Sequence, residues 1–326
     1  MIGAAGDQKT CCGDQGAKVH TIQVGTYRRA VTRPFSLGSN RLTAMHIVIT
    51  DSGVGGLSVC ASAERFVRVH GFREPVRLTF VNAAPANDYG YNSMPSRQVK
   101  LDTFDRFLRA VTEQYAPDVI YVACNTLSVL LSDTPYVAES AIPITGIVET
   151  GSRLVLSRLA ADRESVAMIF ATPTTIDSGV YPRLLVDGGI DRSRIITQAC
   201  PGLADVISED REGTRARSEI VRWVGAAVDR LNQPAHIVAC LACTHYGYRK
   251  DIFASALAGA EVIDPNERAV DDLFGDVGSC HDVTVECVTR YAIPETAVEA
   301  LAWFLGDTSP PTVVAMRGFI HRPDLF

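Results

Sequence analysis

The sequence predicts an α/β protein made of two similar, doubly wound halves, each a parallel-rich sheet with helices on both faces. Three observations support this prediction. Short apolar runs alternate with segments of helical periodicity from about residue 46 onward, a pattern typical of parallel sheets covered by helices. The pattern recurs about 120 residues later, and polar residues follow the strand ends in both halves.

The strands are predicted from short apolar runs between turn residues. Five of them lie at residues 47–50, 76–81, 119–123, 166–170 and 236–241. The first strand ends in the glycine-rich turn 51–56, which leads into a predicted helix. Residues 100–115 repeat apolar side chains at helical spacing, which predicts an amphipathic helix between the second and third strands.

Two pairs of residues mark the repeat. Cys124 and Cys243 each follow an alanine at a strand end and lie 119 residues apart, while Asp51 and Thr172 lie 121 apart. Open α/β sheets bind ligands at the carboxyl ends of their strands. Two such sheets facing each other would therefore bring both cysteines into one cleft, where we expect the active site.

Composition bounds the function. A length of 326 residues suggests roughly two domains. The net charge is −6 with acids and bases well mixed, so a nucleic-acid partner is not expected. The sequence contains no run of 18 apolar residues, so it predicts no membrane-spanning helix. The nine cysteines are spread over a long chain, which favours reduced thiols in the cytoplasm over a disulfide scaffold.

Residues 1–44 differ from the rest of the chain. They hold six Lys/Arg against two Asp, a net charge of +4, whereas the remainder carries −10. They show no apolar periodicity and no apolar stretch of the kind found in a secretory signal. We expect a disordered extension, or a native start at Met45.

The two cysteines suggest acid–base chemistry at a carbon atom. Racemisation of an amino acid removes the Cα proton on one face and returns a proton on the other, so two bases on opposite faces suit it. A thiol with an ordinary pKa near 8.5 reaches both protonation states near neutral pH. Polar residues follow each cysteine, Asn125 and Thr126 in one case and Thr244 and His245 in the other, and could orient a substrate.

Other interpretations of these residues remain open. A lone cysteine at a strand end is usually a small core residue, and Asp51 after a strand is often a helix cap. Cys240 and Cys243 form a C-x-x-C, a spacing also found in redox and zinc sites. No second C-x-x-C is present, and no Lys-Ser/Thr pair completes a phosphate-binding loop after Gly56.

Five segments in order carry a more specific set of motifs. They are Asp51-Ser52-Gly53-Val54-Gly55-Gly56-Leu57-Ser58-Val59, Asp88-Tyr89-Gly90, Ala123-Cys124-Asn125-Thr126, Ala171-Thr172-Pro173-Thr174-Thr175-Ile176-Asp177-Ser178 with Tyr181, and Ala242-Cys243-Thr244-His245-Tyr246. Together they resemble the signature motifs of glutamate racemases, in the aspartate/glutamate racemase superfamily. Their order and spacing agree over roughly residues 46–326.

The resemblance implies a role for each motif residue. Cys124 and Cys243 would carry the proton, Cys124 acting on the D enantiomer and Cys243 on the L. Asp51 would assist Cys124, and His245 would assist Cys243. Tyr89 and Gly90 would hold the distal carboxylate. The substrate-binding residues would be Ser52, Tyr89, Gly90, Asn125, Thr126, Thr175 and Thr244. No cofactor and no metal would be needed.

The resemblance also implies an architecture and a physiological role. Two pseudo-symmetric α/β domains would face each other, the first formed by residues 46–146 plus 265–326 and the second by 147–264. The substrate would be a small amino acid, glutamate, racemised to supply peptidoglycan precursors for the cell wall. A homodimer is compatible with the resemblance, and the sequence does not decide the oligomeric state.

The sequence departs from the family pattern around the side-chain pocket. Asp88 stands where proline is usual, and residues 82–88 replace the usual Asp-Thr-Ala-Arg segment. Gly247 replaces a proline, and Ser208 stands in place of a glutamate, with Glu209 next to it. Three alternatives therefore stay open: racemisation of aspartate, racemisation of another amino acid, and a non-catalytic amino-acid-binding relative. We expect substrate preference to depend on residues 82–88.

Overall fold

Two parallel β-sheets organise the chain in the computed structural model, which describes residues 44–231 and 236–326. The expected extension over residues 1–44 lies outside the described residues, apart from Ala44. The strands are β1 Met45–Asp51, β2 Val76–Asn82, β3 Val119–Val122, β4 Ile144–Gly146, β5 Ser165–Ala171, β6 Ile195–Ala199, β7 His236–Ala242, β8 Glu261–Ile263, β9 Val283–Thr289 and β10 Ile320–His321.

The strand orders of the two sheets share a pattern. The first sheet has the order β10-β9-β2-β1-β3-β4, and the second has the order β6-β5-β7-β8. Every pairing in both sheets is parallel. In each sheet, the strand that comes first in the chain lies between the second and the third, with the fourth beyond the third. Both sheets therefore present the carboxyl ends of all their strands at one edge.

Helices connect the strands and cover the sheets. They are α1 Leu57–His70, α2 Arg97–Tyr115, α3 Asn125–Ser128, α4 Pro135–Glu139, α5 Ile147–Ala161, α6 Pro173–Asp177, α7 Val180–Asp187, α8 Leu203–Glu209, α9 Thr214–Val228, α10 Lys250–Ala256, α11 Val270–Leu273, α12 Glu295–Leu305 and α13 Pro310–Arg317. Short 3₁₀ turns occur at Tyr91–Ser93, Leu131–Asp133, Arg192–Arg194, Tyr246–Arg249 and Pro265–Arg268.

The central strands are buried on both faces. In β1, Val48 packs into one apolar cluster, while Ile47 and Ile49 pack into another on the opposite face. In β5, Ile169 belongs to the same cluster as Val48, whereas Phe170 points into a third cluster. Because neighbouring strand residues alternate between faces, two-sided burial requires a nearly continuous apolar run. This explains why the strands appear in the sequence as short apolar blocks.

The predicted α/β fold with parallel sheets is confirmed, and each predicted strand is present with its ends shifted by at most two residues. The helix predicted over residues 100–115 begins earlier, at Arg97, because the Ser96 hydroxyl caps it by accepting a hydrogen bond from the Val99 N–H. The division into two domains stays a prediction. Among the described residues, no helix has the length and hydrophobicity that a membrane span requires.

Candidate active site

The strand ends of both sheets open into one cavity of about 470 Å³, a volume ordinary for small-molecule sites. Loops after β1, β2, β3 and β9, together with the start of α12, line it from the first sheet, and loops after β5 and β7 together with α8 line it from the second. Nine of the eleven site residues predicted from the sequence line this cavity: Asp51, Ser52, Gly90, Cys124, Asn125, Thr126, Cys243, Thr244 and His245.

Asp51 and Thr244 join the two walls. Asp51 ends β1 and is buried, and its Oδ2 accepts a hydrogen bond of 2.7 Å from Thr244 Oγ1, in the loop after β7. Gly55 makes this approach possible, since a Cβ there would lie 2.5 Å from both Thr244 Oγ1 and His245 Nδ1. The glycine-rich turn after β1 thus serves the close contact of two loops.

Cys124 lies at the end of a short polar chain. Its Sγ is 3.1 Å from Ser52 Oγ, and Ser52 Oγ donates a long hydrogen bond of 3.5 Å to Asp51 Oδ1. Burial, and next the negative charge of Asp51, raises the pKa of the Cys124 thiol to about 12, against the hydrogen bonds from Ser52. Cys124 is therefore a neutral thiol near pH 7.

Cys243 and His245 form the corresponding group on the other wall. Burial raises the pKa of the Cys243 thiol well above its usual value, although the His245 backbone N–H opposes this shift by hydrogen bonding to the sulfur. The pKa of the His245 imidazole is lowered by burial, with the negative charges of Asp51 and Asp205 opposing the shift. The His245 imidazole and the Cys243 thiol are therefore both neutral near pH 7.

Two further hydrogen bonds connect the walls. Thr126 Oγ1 and Thr172 Oγ1 are 2.9 Å apart, and the Tyr181 hydroxyl donates to Asn125 Oδ1 at 2.7 Å. In contrast to Oδ1, the Nδ2 atom of the Asn125 amide is buried and has no hydrogen-bond partner among the described residues. Because a buried donor without a partner is costly, this amide is a candidate ligand-binding group on the cavity wall.

Sequence comparison assigns the chain to a family. It is 30% identical over 224 residues to the glutamate racemase of Pseudomonas entomophila, an alignment that covers 67% of this chain and 76% of that protein. The chain belongs to the glutamate racemase family. A glutamate racemase from Aquifex pyrophilus is 28% identical over 227 residues, covering 68% of this chain and 80% of that one. No protein-family model matches the chain.

Solved structures of glutamate racemases have the same fold. The Aquifex pyrophilus glutamate racemase superposes with a TM-score of 0.59 at 25% identity, covering 80% of this chain and 95% of that one. The Francisella tularensis enzyme, solved with D-glutamate, gives a TM-score of 0.62 at 20% identity, covering 80% and 93%. The family resemblance inferred from the five motifs is thus confirmed. Glutamate racemases are amino-acid racemases, a class of isomerases.

Two residues assigned by resemblance lie away from the cavity wall of this glutamate racemase homologue. Tyr89 is 40% exposed, because a tight turn closed by its N–H to the Ala86 carbonyl places it at the loop surface. Thr175 is buried on α6, where its hydroxyl lies 3.1 Å from that of Thr172. Thr172, which caps α6, takes the position on the wall instead.

Several wall residues were not predicted from the sequence. Tyr91 lines the cavity beside Gly90, and its buried hydroxyl has no partner among the described residues. Tyr291 lines it from the loop after β9 and accepts a 3.0 Å hydrogen bond from Asn82 Nδ2. The apolar residues of 283–289 could have predicted a strand here. Residues that follow the carboxyl end of a strand in such a sheet reach the cavity, so Tyr291 would then have been expected on its wall.

The departure at Gly247 has a local structural reason. A Cβ at this position would lie 2.0 Å from Asp264 Oδ2. Asp264 is buried, accepts a hydrogen bond from the Asn266 N–H, and has a pKa raised by burial to about 7. Asn266 Nδ2 in turn donates to the Thr244 carbonyl at 2.9 Å. Gly247 therefore leaves room for a carboxyl group that supports the Cys243 loop.

The C-x-x-C spacing places its two cysteines in different surroundings. Cys240 is fully buried within β7, whereas Cys243 lies at the cavity wall, and both are free thiols. Within residues 44–231 and 236–326, no three His, Cys, Asp or Glu side chains are grouped as a metal site would require.

Proposed function

We propose that this protein racemises glutamate without a cofactor, by proton transfer between the substrate Cα and two thiols. One observation carries the proposal: Cys124 and Cys243 line the same cavity from the loops of two different sheets. The membership of the chain in the glutamate racemase family supports glutamate as the substrate. The product D-glutamate would serve peptidoglycan synthesis in the cytoplasm.

The amino-acid end of the substrate would be held by neutral donors. Asn125 Nδ2 has no hydrogen-bond partner among the described residues, and Ser52, Thr126 and Thr244 line the same cavity. The hydroxyls of Ser52 and Thr244 donate to Asp51 in this structure and would turn from it to donate to the substrate. Such donors bind a carboxylate without needing a cation. The backbone of Gly90 lies on the wall farther along the loop after β2 and would contact the distal carboxylate.

One thiol must become a thiolate before each turnover. Burial favours the neutral form of both thiols. The positive charge of the substrate ammonium group would favour a thiolate nearby, because an opposite charge stabilises the ionised form. Asp51 reaches Cys124 through the Ser52 hydroxyl, which could relay its proton. Neutral His245 lines the cavity two residues after Cys243 and would take the corresponding role there.

The chemical step then balances in both directions. With L-glutamate, the Cys243 thiolate takes the Cα proton while the Cys124 thiol gives its proton to the opposite face. The C–H bond on one face breaks, a C–H bond on the other face forms, and the two sulfurs exchange protonation states. D-Glutamate follows the reverse path. The division into domains 46–146 plus 265–326 and 147–264 fits this scheme, since each would contribute one thiol.

The test uses the purified full-length protein without added cofactor. Each enantiomer of glutamate, and separately of aspartate, is incubated with the protein, and loss of optical activity is followed by circular dichroism. We expect both glutamate enantiomers to converge on an equal mixture, with no change on adding pyridoxal phosphate. The control is the Cys124→Ser/Cys243→Ser double variant. Equal activity of this control, or no racemisation by the wild type, would refute the proposal.

A further inference from the structure

Tyr291 brings a side chain to the cavity from a strand that the proposed proton transfer does not use. It follows the last residue of β9, Thr289, by two positions and lines the cavity. β9 pairs with β2, and β2 pairs with β1 in a register that places Asn82 beside Asp51. Asp51, Asn82 and Tyr291 therefore lie at the carboxyl ends of three neighbouring strands of the first sheet.

The backbone determines which way the Asn82 amide is turned. Its Oδ1 accepts a hydrogen bond of 2.9 Å from the Ala84 N–H, and a backbone N–H can only donate. The other end of the amide, Nδ2, is therefore the end that contacts Tyr291, and it donates to the hydroxyl oxygen at 3.0 Å. Because Asn82 is fully buried, water does not compete for either contact.

The Tyr291 hydroxyl keeps a proton that it can donate. A phenol has one O–H proton, so an oxygen that accepts from Asn82 must direct this proton elsewhere. Within residues 44–231 and 236–326, the hydroxyl makes no second hydrogen bond. Burial, and next the negative charge of Asp51, raises the pKa of the phenol, against the hydrogen bond from Asn82. The hydroxyl is therefore a neutral donor near pH 7, with its proton unused.

The position of β9 in the sheet indicates which part of the substrate this donor would meet. β9 lies three strands away from β3, and neighbouring strands are about 4.8 Å apart, which gives about 14 Å in all. Asn125, the candidate donor to the α-carboxylate, follows β3, whereas Gly90 lies in the loop after β2, the neighbour of β9. An amino acid held by Asn125 would thus extend its side chain toward the loops after β2 and β9.

The distal carboxylate of glutamate requires donors of this kind. No Lys or Arg among the described residues lines the cavity, so backbone N–H groups and hydroxyls are the donors available to an anionic side chain. A hydrogen bond from a neutral donor to a carboxylate is roughly twice as strong as one between neutral groups. The Tyr291 hydroxyl meets this requirement, since it has a proton to give and no protein acceptor to compete for it.

We propose that the Tyr291 hydroxyl binds the distal carboxylate of glutamate and that Asn82 holds this hydroxyl in its donating orientation, a role that rests on the proposed racemase function. Tyr291 makes the contact, and Asn82 acts through Tyr291 as a positioning residue. The distal carboxylate takes no part in proton transfer at Cα, so the contact is equally strong before and during the chemical step. Its loss should weaken substrate binding and leave the chemical step unchanged.

The first test removes only the hydroxyl. In Tyr291→Phe, the KM for both glutamate enantiomers should rise about ten- to hundredfold, the effect of one hydrogen bond to a charged group. The kcat should stay within about twofold of the wild-type value. Tyr136→Phe is the matched control, because Tyr136 is also half-buried, lies outside the cavity lining and loses the same atom. An unchanged KM in Tyr291→Phe, or a loss confined to kcat, would overturn the inference.

A competing ligand shows which end of the substrate is contacted. L-Norvaline carries a methyl group where glutamate carries its distal carboxylate, so it offers the hydroxyl no acceptor there. Its inhibition constant against racemisation of L-glutamate should be the same in the wild type and in Tyr291→Phe. A rise in this constant parallel to the KM for glutamate would mean that the hydroxyl serves the amino-acid end or the fold. That result would overturn the assignment.

A double-mutant cycle tests the role of Asn82. Asn82→Ala should raise the KM for glutamate, because the Tyr291 hydroxyl is no longer held in its donating orientation. In the Tyr291→Phe background the same substitution should have a much smaller effect on KM, since no hydroxyl remains to be oriented. Fully additive effects would overturn the positioning role. Absence of racemisation by the wild type would overturn the proposed function itself, whereas racemisation with an unaltered KM in Tyr291→Phe would overturn this inference alone.

Discussion

Thr244 Oγ1 donates a 2.7 Å hydrogen bond to Asp51 Oδ2, joining two residues that are 193 positions apart in the chain. Thr244 directly follows Cys243, and Asp51 is connected through Ser52 to Cys124. The contact therefore ties the loop of one cysteine to the carboxylate beside the other. Both partners are buried, so if either is removed, water cannot fully replace the lost hydrogen bond.

Loss of the Thr244 hydroxyl should destabilise the protein. In Thr244→Val the buried Asp51 carboxylate loses a donor, and a hydrogen bond to a charged group is worth about 1.5–3 kcal/mol. We expect the free energy of unfolding, measured by urea denaturation, to fall by about this amount. Thr244→Ser keeps the hydroxyl and serves as the control. Equal stability of the two variants would show that the hydrogen bond contributes nothing.

Replacement of either cysteine should stop racemisation but leave one-sided exchange. A serine hydroxyl is a far weaker acid than a thiol and does not form the corresponding anion, while its similar size spares the fold. Cys124→Ser and Cys243→Ser should each racemise far more slowly in D₂O than the wild type. Residual exchange of the Cα proton, measured by NMR, should favour the L enantiomer in Cys124→Ser and the D enantiomer in Cys243→Ser.

Two results would contradict this two-base scheme. One is near wild-type racemisation by either single variant with the fold intact. The other is exchange of the same enantiomer by both variants, which would place a single base on a single face. The Cys240→Ser variant is the matched control, because Cys240 is fully buried inside β7 and takes no part in the proposed proton transfer.

The thiols of the free enzyme should react slowly with iodoacetamide near neutral pH. The thiolate is the reactive form, and the pKa of Cys124 is raised to about 12 by burial and by Asp51. Its alkylation, followed by peptide mass spectrometry, should be slower than that of the half-buried Cys280 from pH 7 to 9. Asp51→Asn removes a charge that raises this pKa, so alkylation of Cys124 should become severalfold faster. An unchanged or lower rate would contradict the assignment.

The same shift predicts how stability depends on pH. The folded state favours the protonated Cys124 thiol, so its contribution is fully present below the unfolded pKa of about 9. It is lost as the pH rises from there toward about 12. Urea unfolding at pH 8, 9 and 10 should show a steeper loss of stability in the wild type than in Cys124→Ser. Parallel pH profiles of the two proteins would argue against a raised pKa.

An added methyl group at Gly247 should weaken the Cys243 loop. A Cβ there would lie 2.0 Å from Asp264 Oδ2, so Gly247→Ala must displace a buried carboxyl group or its own loop. We expect a loss of about 1–3 kcal/mol in the free energy of unfolding. Gly225→Ala is the control, because Gly225 lies in α9 with open space at its Cβ position. Alanine there should stabilise the helix by about 0.5–1 kcal/mol.

Local patterns in the sequence determined much of this structure. The strand at Met45–Asp51 and the helix at Arg97–Tyr115 follow from apolar side chains at characteristic spacings. The placement of Cys124 and Cys243 beside a shared cavity followed from a general rule, since both come directly after strands whose carboxyl ends form ligand sites. These inferences need only information that is close together in the chain.

The contacts that shape the site were decided by tertiary structure. The Asp51–Thr244 hydrogen bond, the pairing of Tyr181 with Asn125, and the position of Tyr91 in place of Tyr89 on the wall depend on how two sheets and their loops pack. A shift of a few ångströms between loops separates a hydrogen bond from no contact. The distance between two loops that are far apart in the chain is set by packing across the cleft. The spacing of residues in the sequence does not determine it.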